Sequence, residues 1–586
     1  MNTSHPLAKE LQKLSESSRH AIADGNSIEL DEFSEYLHIK RDVEKELISK
    51  IKKGLEHSEA QLVLVCGNVG DGKSHILSYL NKELKDELNE FTIHNDATES
   101  FNPNENSNET LNRVLNGFRD DNINESFDKI ILAINLGTLS NFLEEYGEDY
   151  GKLKAYIDQN KILDSDIIET DSLLSNSFFH HVNFTDYHMY SLTSEGPKSK
   201  IISTLLERII ADNPKNLIFK AYKNIKKEDW SINCPIRYNF EFLMNAENGE
   251  ALMNLIVQAI VKNKEIVSVR SLLNFFFDLI VPIGLKWDDL FSYKEQINSI
   301  NEDEYLSYLA PNYLFEHPEL SKLFLTIEKL DPCKYRYVGL DASLIKLINA
   351  EKPSSVFTEC IGEERIKGLE NRIDLGIEED KKKLKPEVLT KLFMRLNFFS
   401  NRKQIAKLSD PFFEEFVTDL YHFNNSKMSV IKSTYNLVEE AARKWYGDPK
   451  KNKKVILNLV KNQSKYRVLK DFKVKPKPNV HEERNLPVLT KFTETFSLYF
   501  ELEENREIIK VNIDFGLYDI LKKILKGYRP NKKDNNNHIS FINFINKLVK
   551  QNNNAEALEI DEVNIGKASD YELVIDHFGE YKFRAI

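Results

Sequence analysis

The spacing of apolar and polar positions divides the chain into regions of different period. Two short runs are apolar without a break, Gln61–Cys66 (QLVLVC) and Ile130–Ile134 (IILAI). Unbroken runs of this length, rich in Val, Ile and Leu, mark strands buried on both faces of a parallel sheet. Weaker strand patterns fall at Phe91–His94 and across His180–Tyr190, where His180 and His181 read as a strand start. From residue 61 to about 220 these alternate with helical spacing, which predicts an α/β sheet.

On either side of that region the period is helical. Residues 1–60 (LAKELQKLSE, then ELDEFSEYLHIKRDVEKELISKIKKGL) read as a polar helical element packing against the α/β core, with His38, Lys40 and Asp42 on a solvated helix face. Residues 221–300 carry strong amphipathic stretches such as SVRSLLNFFFDLIVP, and 301–450 are mostly helical, punctuated by prolines. The charged stretch 376–387 reads as a linker. Residues 451–586 mix strands and helices, with GYRPNKKDNNN as a polar loop, Asn535–Asn537 exposed, and a closing hairpin around Phe578-Gly579. The expected organisation is an N-terminal helical element (1–60), an α/β core (61–220), a helical lid (221–300), a helical region (301–450) and a small α+β domain (451–586).

The first apolar run leads directly into Gly67-Asn68-Val69-Gly70-Asp71-Gly72-Lys73-Ser74-His75 and then an apolar helix. Residues 67–74 match G-x-x-x-x-G-K-[ST], the Walker A phosphate loop. Glycines at 67, 70 and 72 free the backbone to turn successive N–H groups onto phosphate oxygens, and the helix N-terminus favours the same anion. Lys73 is expected to reach the β- and γ-phosphates of ATP, and Ser74 to hold Mg²⁺. An ordinary glycine-containing loop is the alternative, but the preceding strand and following helix are the context the motif requires.

Composition narrows the class further. With 80 basic and 92 acidic residues the net charge is −12, which argues against a protein that coats nucleic acid along its whole surface. No apolar run is long enough for a membrane span, and the N-terminus has no signal-peptide pattern. Cys66, Cys234, Cys333 and Cys360 lie far apart without metal-ligand spacing, so a reducing, cytoplasmic setting is expected.

A P-loop ATPase needs a second, acidic site for the metal. The best remaining strand ends in Asn135 rather than an acid, and Asn135 resembles the "sensor 1" residue of AAA+ ATPases. The metal-site carboxylate is then expected at Asp96, with Glu99 beside it, or at Asp186; a plain helix-capping role is the alternative for each. Arg270, early in a helix, resembles the lid "sensor 2", and Arg237 is a second nucleotide-facing arginine in cis or in trans. A surface salt bridge is the alternative for both. The fold expected is an α/β P-loop NTPase with an AAA+-like parallel sheet and a helical lid.

GNVGDGKSH, NDATESFNP, KIILAINLGTLSNFL and VNFTDYHMYSL occur in that order, followed by SVRSLLNFFFDLIVP, YLAPNYLFEHPELSKL and GYRPN. Together these blocks, spread over nearly the whole chain, resemble the DptF family of DNA phosphorothioation-dependent restriction proteins. The resemblance implies a cytoplasmic bacterial defence protein, an ATPase component acting with DptG- and DptH-type partners against DNA that lacks phosphorothioate marks.

One further segment carries chemistry. Residues 450–477 hold eleven Lys or Arg and a single acid, Asp471. Lys450, Lys451, Lys453, Lys454, Lys465, Arg467, Lys470 and Lys473 are expected to contact a DNA backbone; a lysine-rich edge strand and a partner's acidic surface are the alternatives. No nuclease constellation is present in the sequence. The functional expectation is therefore an ATP-binding, ATP-hydrolysing component of a DNA restriction complex. A nucleotide-gated adaptor with little turnover is the alternative, and a small-molecule kinase is disfavoured by the long helical and basic regions.

Overall fold

The computed structural model describes residues 4–15, 32–68, 70–95, 106–163, 178–374, 385–400, 410–450, 453–457, 466–479, 482–502, 506–551, 557–562 and 571–585. The charged stretch at 376–387 lies largely outside the described residues. The chain forms two compact units. The first takes in Met1–Ser191, Pro197–Leu408 and Thr490–Phe492, and the second Leu192–Gly196, Ser409–Leu489 and Thr493–Ile586. The second unit thus begins in the helices before residue 451, and the first merges the α/β and helical segments that the sequence separates.

The first unit is built on a four-stranded sheet. Its strands are β1 (Gln61–Cys66), β2 (Thr92–His94), β3 (Lys129–Ile134) and β4 (Phe179–Asn183). They lie in the order β2-β3-β1-β4, and all pair in parallel. Because side chains alternate along a strand, β1 feeds both faces. Leu62, Leu64 and Cys66 join Ile130, Leu132, Ile134, Phe142 and Leu153 on one side; Val63 and Val65 join Val43, Leu47, Ile51, Ile76 and Leu80 on the other. Every residue of β1 is buried, which is why the sequence shows an unbroken apolar run there. The second of those clusters takes helical residues from Asp42–Leu55 and Lys73–Glu83, so this helix of the N-terminal element packs on the core, whereas the first helix, Pro6–Leu11, packs on Leu217–Ile225 of the helical region.

Register sets which turns share an edge of the sheet. Cys66 pairs with Ile134 on one side and Asn183 on the other. The residues that come next, Gly67, Asn135 and Phe184, therefore leave the sheet together at its C-terminal edge. The apolar-to-polar pattern through His180–Tyr190 is broken in the structure: β4 ends at Asn183, a short turn Phe184–Asp186 intervenes, and a new strand starts at Tyr187. Asn183 makes that turn by accepting from Thr185 N at 3.2 Å and Thr185 Oγ1 at 2.8 Å.

The helical remainder of the first unit includes Val269–Ile280, whose N-cap Ser268 and Ser271 form a reciprocal capping box. A buried arginine fixes the far end of this region. Arg395 meets Asp331 at 2.7 Å, Glu316 at 2.8 Å and Asn312 Oδ1 at 3.0 Å.

The second unit combines helices such as Pro411–Asn424, Met428–Lys444 and Phe515–Leu525 with antiparallel strands. Its larger sheet has five strands in the order Tyr581–Ala585, Tyr571–Ile575, Ala557–Glu562, Tyr466–Asp471, Lys454–Ile456. The expected hairpin at Phe578-Gly579 is present, with Gly579 at φ +80°. The polar loop expected at GYRPNKKDNNN is instead partly helical. Asn531 and Asp534 cap a turn at Lys532–Asn537, and Asn535 is not free, since Trp445 Nε1 donates to its Oδ1 at 2.9 Å.

Candidate functional site

At the C-terminal edge of β1 the chain turns through Gly67–Gly72 into the helix Lys73–Glu83. Gly70 and Gly72 have φ +87° and +86°, a region a side chain resists. Space is short as well. A Cβ on Gly67 would lie 2.8 Å from Phe184 Cβ, and one on Gly70 would lie 3.0 Å from Ser268 Oγ. Glycine is thus demanded at 70 and 72 by the backbone, and at 67 by the approach of Phe184. Val69 lies outside the described residues.

The loop is tied from within. Lys73 Nζ donates to the carbonyls of Gly67 (2.9 Å) and Asn68 (2.8 Å), curling its side chain back over the loop. The Asp71 carboxylate accepts from Asn68 N at 2.6 Å. Desolvation pushes the Asp71 carboxyl above its ordinary range, opposed by that hydrogen bond and by the charges of Lys73 and Arg41. Ser74 takes the second position of the helix, beside Lys73. Cys66, at the base, is pushed up to about 12 by burial and stays a thiol of the core.

Three elements that are distant in sequence close around the loop. Arg41, in the link between helices Glu32–Leu37 and Asp42–Leu55, donates from Nη2 to Asp71 O at 2.7 Å, its guanidinium 5.1 Å from the Phe184 ring centroid. Desolvation depresses Arg41, while Asp71 and Glu44 oppose the shift. From the other side Ser268, the N-cap of Val269–Ile280, abuts Gly70. That places Arg270 in the first turn of a helix whose N-terminus meets the loop. The third element is the turn after β4, which brings Phe184 against Gly67 and sets Asp186 nearby, 3.1 Å from Asn183 Nδ2. Burial raises the Asp186 carboxyl, opposed chiefly by Lys491, which itself bonds Glu46 at 2.7 Å.

His75 meets the N-terminal element. Its Nε2 is 3.1 Å from His38 Nδ1, and His38 Nε2 is 3.1 Å from the Glu44 carboxylate. His38 stacks on Tyr79 at 3.5 Å between centroids. His38 and Glu44 are buried, which corrects the solvated position expected for His38, while Lys40 is exposed and Asp42 partly exposed. The helical pattern is interrupted at His38–Arg41, and the break turns His38 inward.

The remaining expected site residues divide. Asn135 stands at the correct edge, but its Oδ1 caps the helix Leu136–Tyr146 by accepting from Thr138 N at 2.7 Å. Arg237 is engaged on its own helix, with Glu241 at 2.9 Å and Ser231 Oγ at 2.8 Å; this is the salt-bridge alternative, and neither partner belongs to the loop. Asp96 and Glu99 lie outside the described residues, as do Lys451 and Lys465 of the basic segment. Among the described residues, no group of His, Cys, Asp and Glu is arranged to hold a metal ion by itself.

The basic segment also divides. Lys454 bonds Asp471 at 2.7 Å and Glu559 at 2.9 Å, and buried Lys470 donates to Val549 O at 2.9 Å. Each of these two already satisfies a group of its own sheet or helix. Lys475 and Lys477 both pair with Glu501 at 2.5 Å. Lys450, Lys453 and Lys473 remain exposed, and Arg467 lies across from Asp561 in the sheet.

Arg41, Phe184 and Ser268 are the contributors that sequence reasoning missed. Arg41 lies 26 residues before Gly67 in sequence order, by their numbers, in a stretch read as continuous helix surface. Among the described residues no helix is long and apolar enough to cross a membrane. Comparison of the chain with protein-family models, with curated proteins and with solved structures finds no match.

Proposed function

We propose that the chain binds ATP with Mg²⁺ at the 67–74 loop and acts as a P-loop, AAA+-like nucleotide-dependent component of a larger assembly. The observation that carries this is the Lys73 ammonium folded over a glycine loop whose shape its neighbours enforce, at the end of a buried parallel strand. The donor set suits a polyphosphate: an ammonium, a guanidinium, loop N–H groups and the opening turn of a helix. Lys73 and the loop N–H groups would hold phosphate oxygens. Ser74 would hold Mg²⁺, which supplies charge neutralisation at the transferring phosphate.

Strand order bears on the carboxylate. With β3 beside β1 and β2 beyond it, Asn135 and Asp96 come after adjacent strands of the sheet. That arrangement supports the reading of Asp96 as the metal-site acid, and Asp186, past β4, is the alternative. The second reading, a nucleotide-gated adaptor with little turnover, is favoured by the missing Asp-Glu pair after the apolar strand that Asn135 follows.

Participation in phosphorothioation-dependent DNA restriction with DptG- and DptH-type partners rests on the motif resemblance. Internal pairing of Lys454 and Lys470 shifts any DNA contact onto the exposed lysines at 450, 453 and 473.

The test is nucleotide binding and steady-state phosphate release by the full chain, with and without double-stranded DNA, beside Lys73→Ala and Asp96→Ala. Binding lost in Lys73→Ala, with turnover lost in both variants, is expected. Binding without turnover selects the adaptor. Unchanged affinity in Lys73→Ala removes the proposal.

A further inference from the structure

The five-stranded sheet of the second unit is two-faced. Register places Glu572 opposite Arg584 and Glu559 opposite Leu469, while Tyr571, Leu573 and Ile575 lie opposite Ala585, Phe583 and Tyr581. One face of the terminal hairpin therefore carries the charges. They are paired there: Arg584 with Glu572 at 2.8 Å and Lys582 with Asp576 at 2.5 Å. The other face of the hairpin carries only apolar and aromatic side chains, continued on the neighbouring strand by Leu558 and Ile560 up to Glu562 at its end.

That apolar face is open. Tyr571 is 46% exposed, Ile575 52%, Tyr581 72% and Phe583 68%, with Phe578 at the turn 90% exposed. The hairpin is nonetheless well tied. Asp576 Oδ1 accepts from Phe578 N (2.9 Å) and Glu580 N (3.0 Å), and Gly579 N donates to Asp576 O at 3.0 Å. A hairpin fixed by its polar face and turn, with its apolar face open, holds those aromatics in place at low conformational cost to a partner.

We propose that this face is the seat of a two-fold contact with a second copy of the same chain, the two hairpins stacking face to face. Two observations select that occupant. The first is charge: the hairpin's own part of the face has none, Glu562 standing at the far end of the neighbouring strand, so an identical hairpin face meets it without like-charge opposition. Edge-to-edge pairing of Tyr581–Ala585 about a two-fold at Phe583 would instead set Lys582 against Arg584, which is unfavourable. Stacking also leaves both ion pairs on the outer sides. The second is area. With large side chains offering roughly 150–250 Å² each, the exposed part of Tyr571, Ile575, Tyr581 and Phe583 comes to about 500 Å² per copy. A two-fold contact then buries roughly 1,000 Å², the size of a weak, reversible interface.

The test is equilibrium sedimentation of the full chain over about 1–50 μM, a span that resolves micromolar self-association. The wild type is expected to pass from monomer to dimer. Phe583→Glu is expected to stay monomeric, and Lys582→Ser, on the opposite face, to dimerise as the wild type does. Because a glutamate could loosen the hairpin, Phe583→Ser and Tyr581→Ser, which add no charge, are the second arm, and both are expected to weaken dimerisation. A wild type that stays monomeric overturns the proposal and assigns the face to a different protein. A dimer that all three variants leave intact overturns it too.

Discussion

Replacing Arg41 by Met would remove the guanidinium from the 67–74 loop while keeping most of the stem that packs beside Phe184. What is lost can be worked from the contacts. The hydrogen bond to Asp71 O, 2.7 Å long and made by a charged donor, is of a kind that contributes about 1.5–3 kcal/mol. The guanidinium 5.1 Å from the Phe184 ring adds ~0.5–2 kcal/mol. Opposing both is the cost of keeping this charge away from water, visible in the downward pull of burial on Arg41. Partial cancellation leaves a net of roughly 1–3 kcal/mol, and if that energy holds the loop in its phosphate-accepting shape, nucleotide Kd rises about 5- to 150-fold. Titration of a fluorescent ATP analogue measures this, with thermal unfolding of the nucleotide-free chain run beside it. A structural role alone lowers the melting temperature and leaves Kd within threefold, roughly 0.65 kcal/mol; that result would refute the argument. Arg41→Lys should restore little, because an ammonium cannot donate to the carbonyl and lie flat over the ring together.

Buried polar groups give two further expected outcomes. His5, fully buried, is depressed to about 4 by burial, with Nδ1 accepting from Ala8 N at 3.2 Å and Nε2 3.4 Å from Cys234 Sγ. The folded state therefore binds fewer protons than the unfolded state between pH 6.5 and 4. Stability should be full above about 6.5 and fall as pH drops through that window, His5 accounting for about 3 kcal/mol in all. Denaturant midpoints across pH should show a shallower fall for His5→Gln; an identical slope would dissociate His5 from it. His180 and His181, also depressed to about 4, act in the same direction. Arg395→Leu strands the buried Asp331 carboxylate and should cost ~3–5 kcal/mol by urea unfolding, most of it recovered when Asp331→Asn is added.

How much of this the sequence discloses depends on whether the determining contacts are local. β1 is legible because burial on both faces demands an unbroken apolar run, and the glycines at 67, 70 and 72 are legible because the strand–loop–helix around them is contiguous. The hairpin at Gly579 is legible for the same reason. Arg41 is not, since its role depends on a helix break at His38–Arg41 that turns side chains inward, and periodicity alone reads through such a break. Asn135 shows the converse. Its position after β3 fits either a sensor or a helix cap, and only the 2.7 Å contact with Thr138 N shows the cap.

Lys454 and Lys470 make the same case for charge. Eleven basic residues in the stretch 450–477 read as a field directed outward, yet sheet pairing brings Asp471 and Glu559 to Lys454, and a helix carbonyl to Lys470. Charge density in sequence counts donors without counting the acceptors that the fold delivers from elsewhere. In the terminal hairpin of the same sheet the strands alternate apolar and polar positions, and the structure leaves the apolar half uncovered. In both cases the strand pattern is legible and the occupant of each face is not, because the occupant comes from another part of the fold, or, for the hairpin, from a second chain.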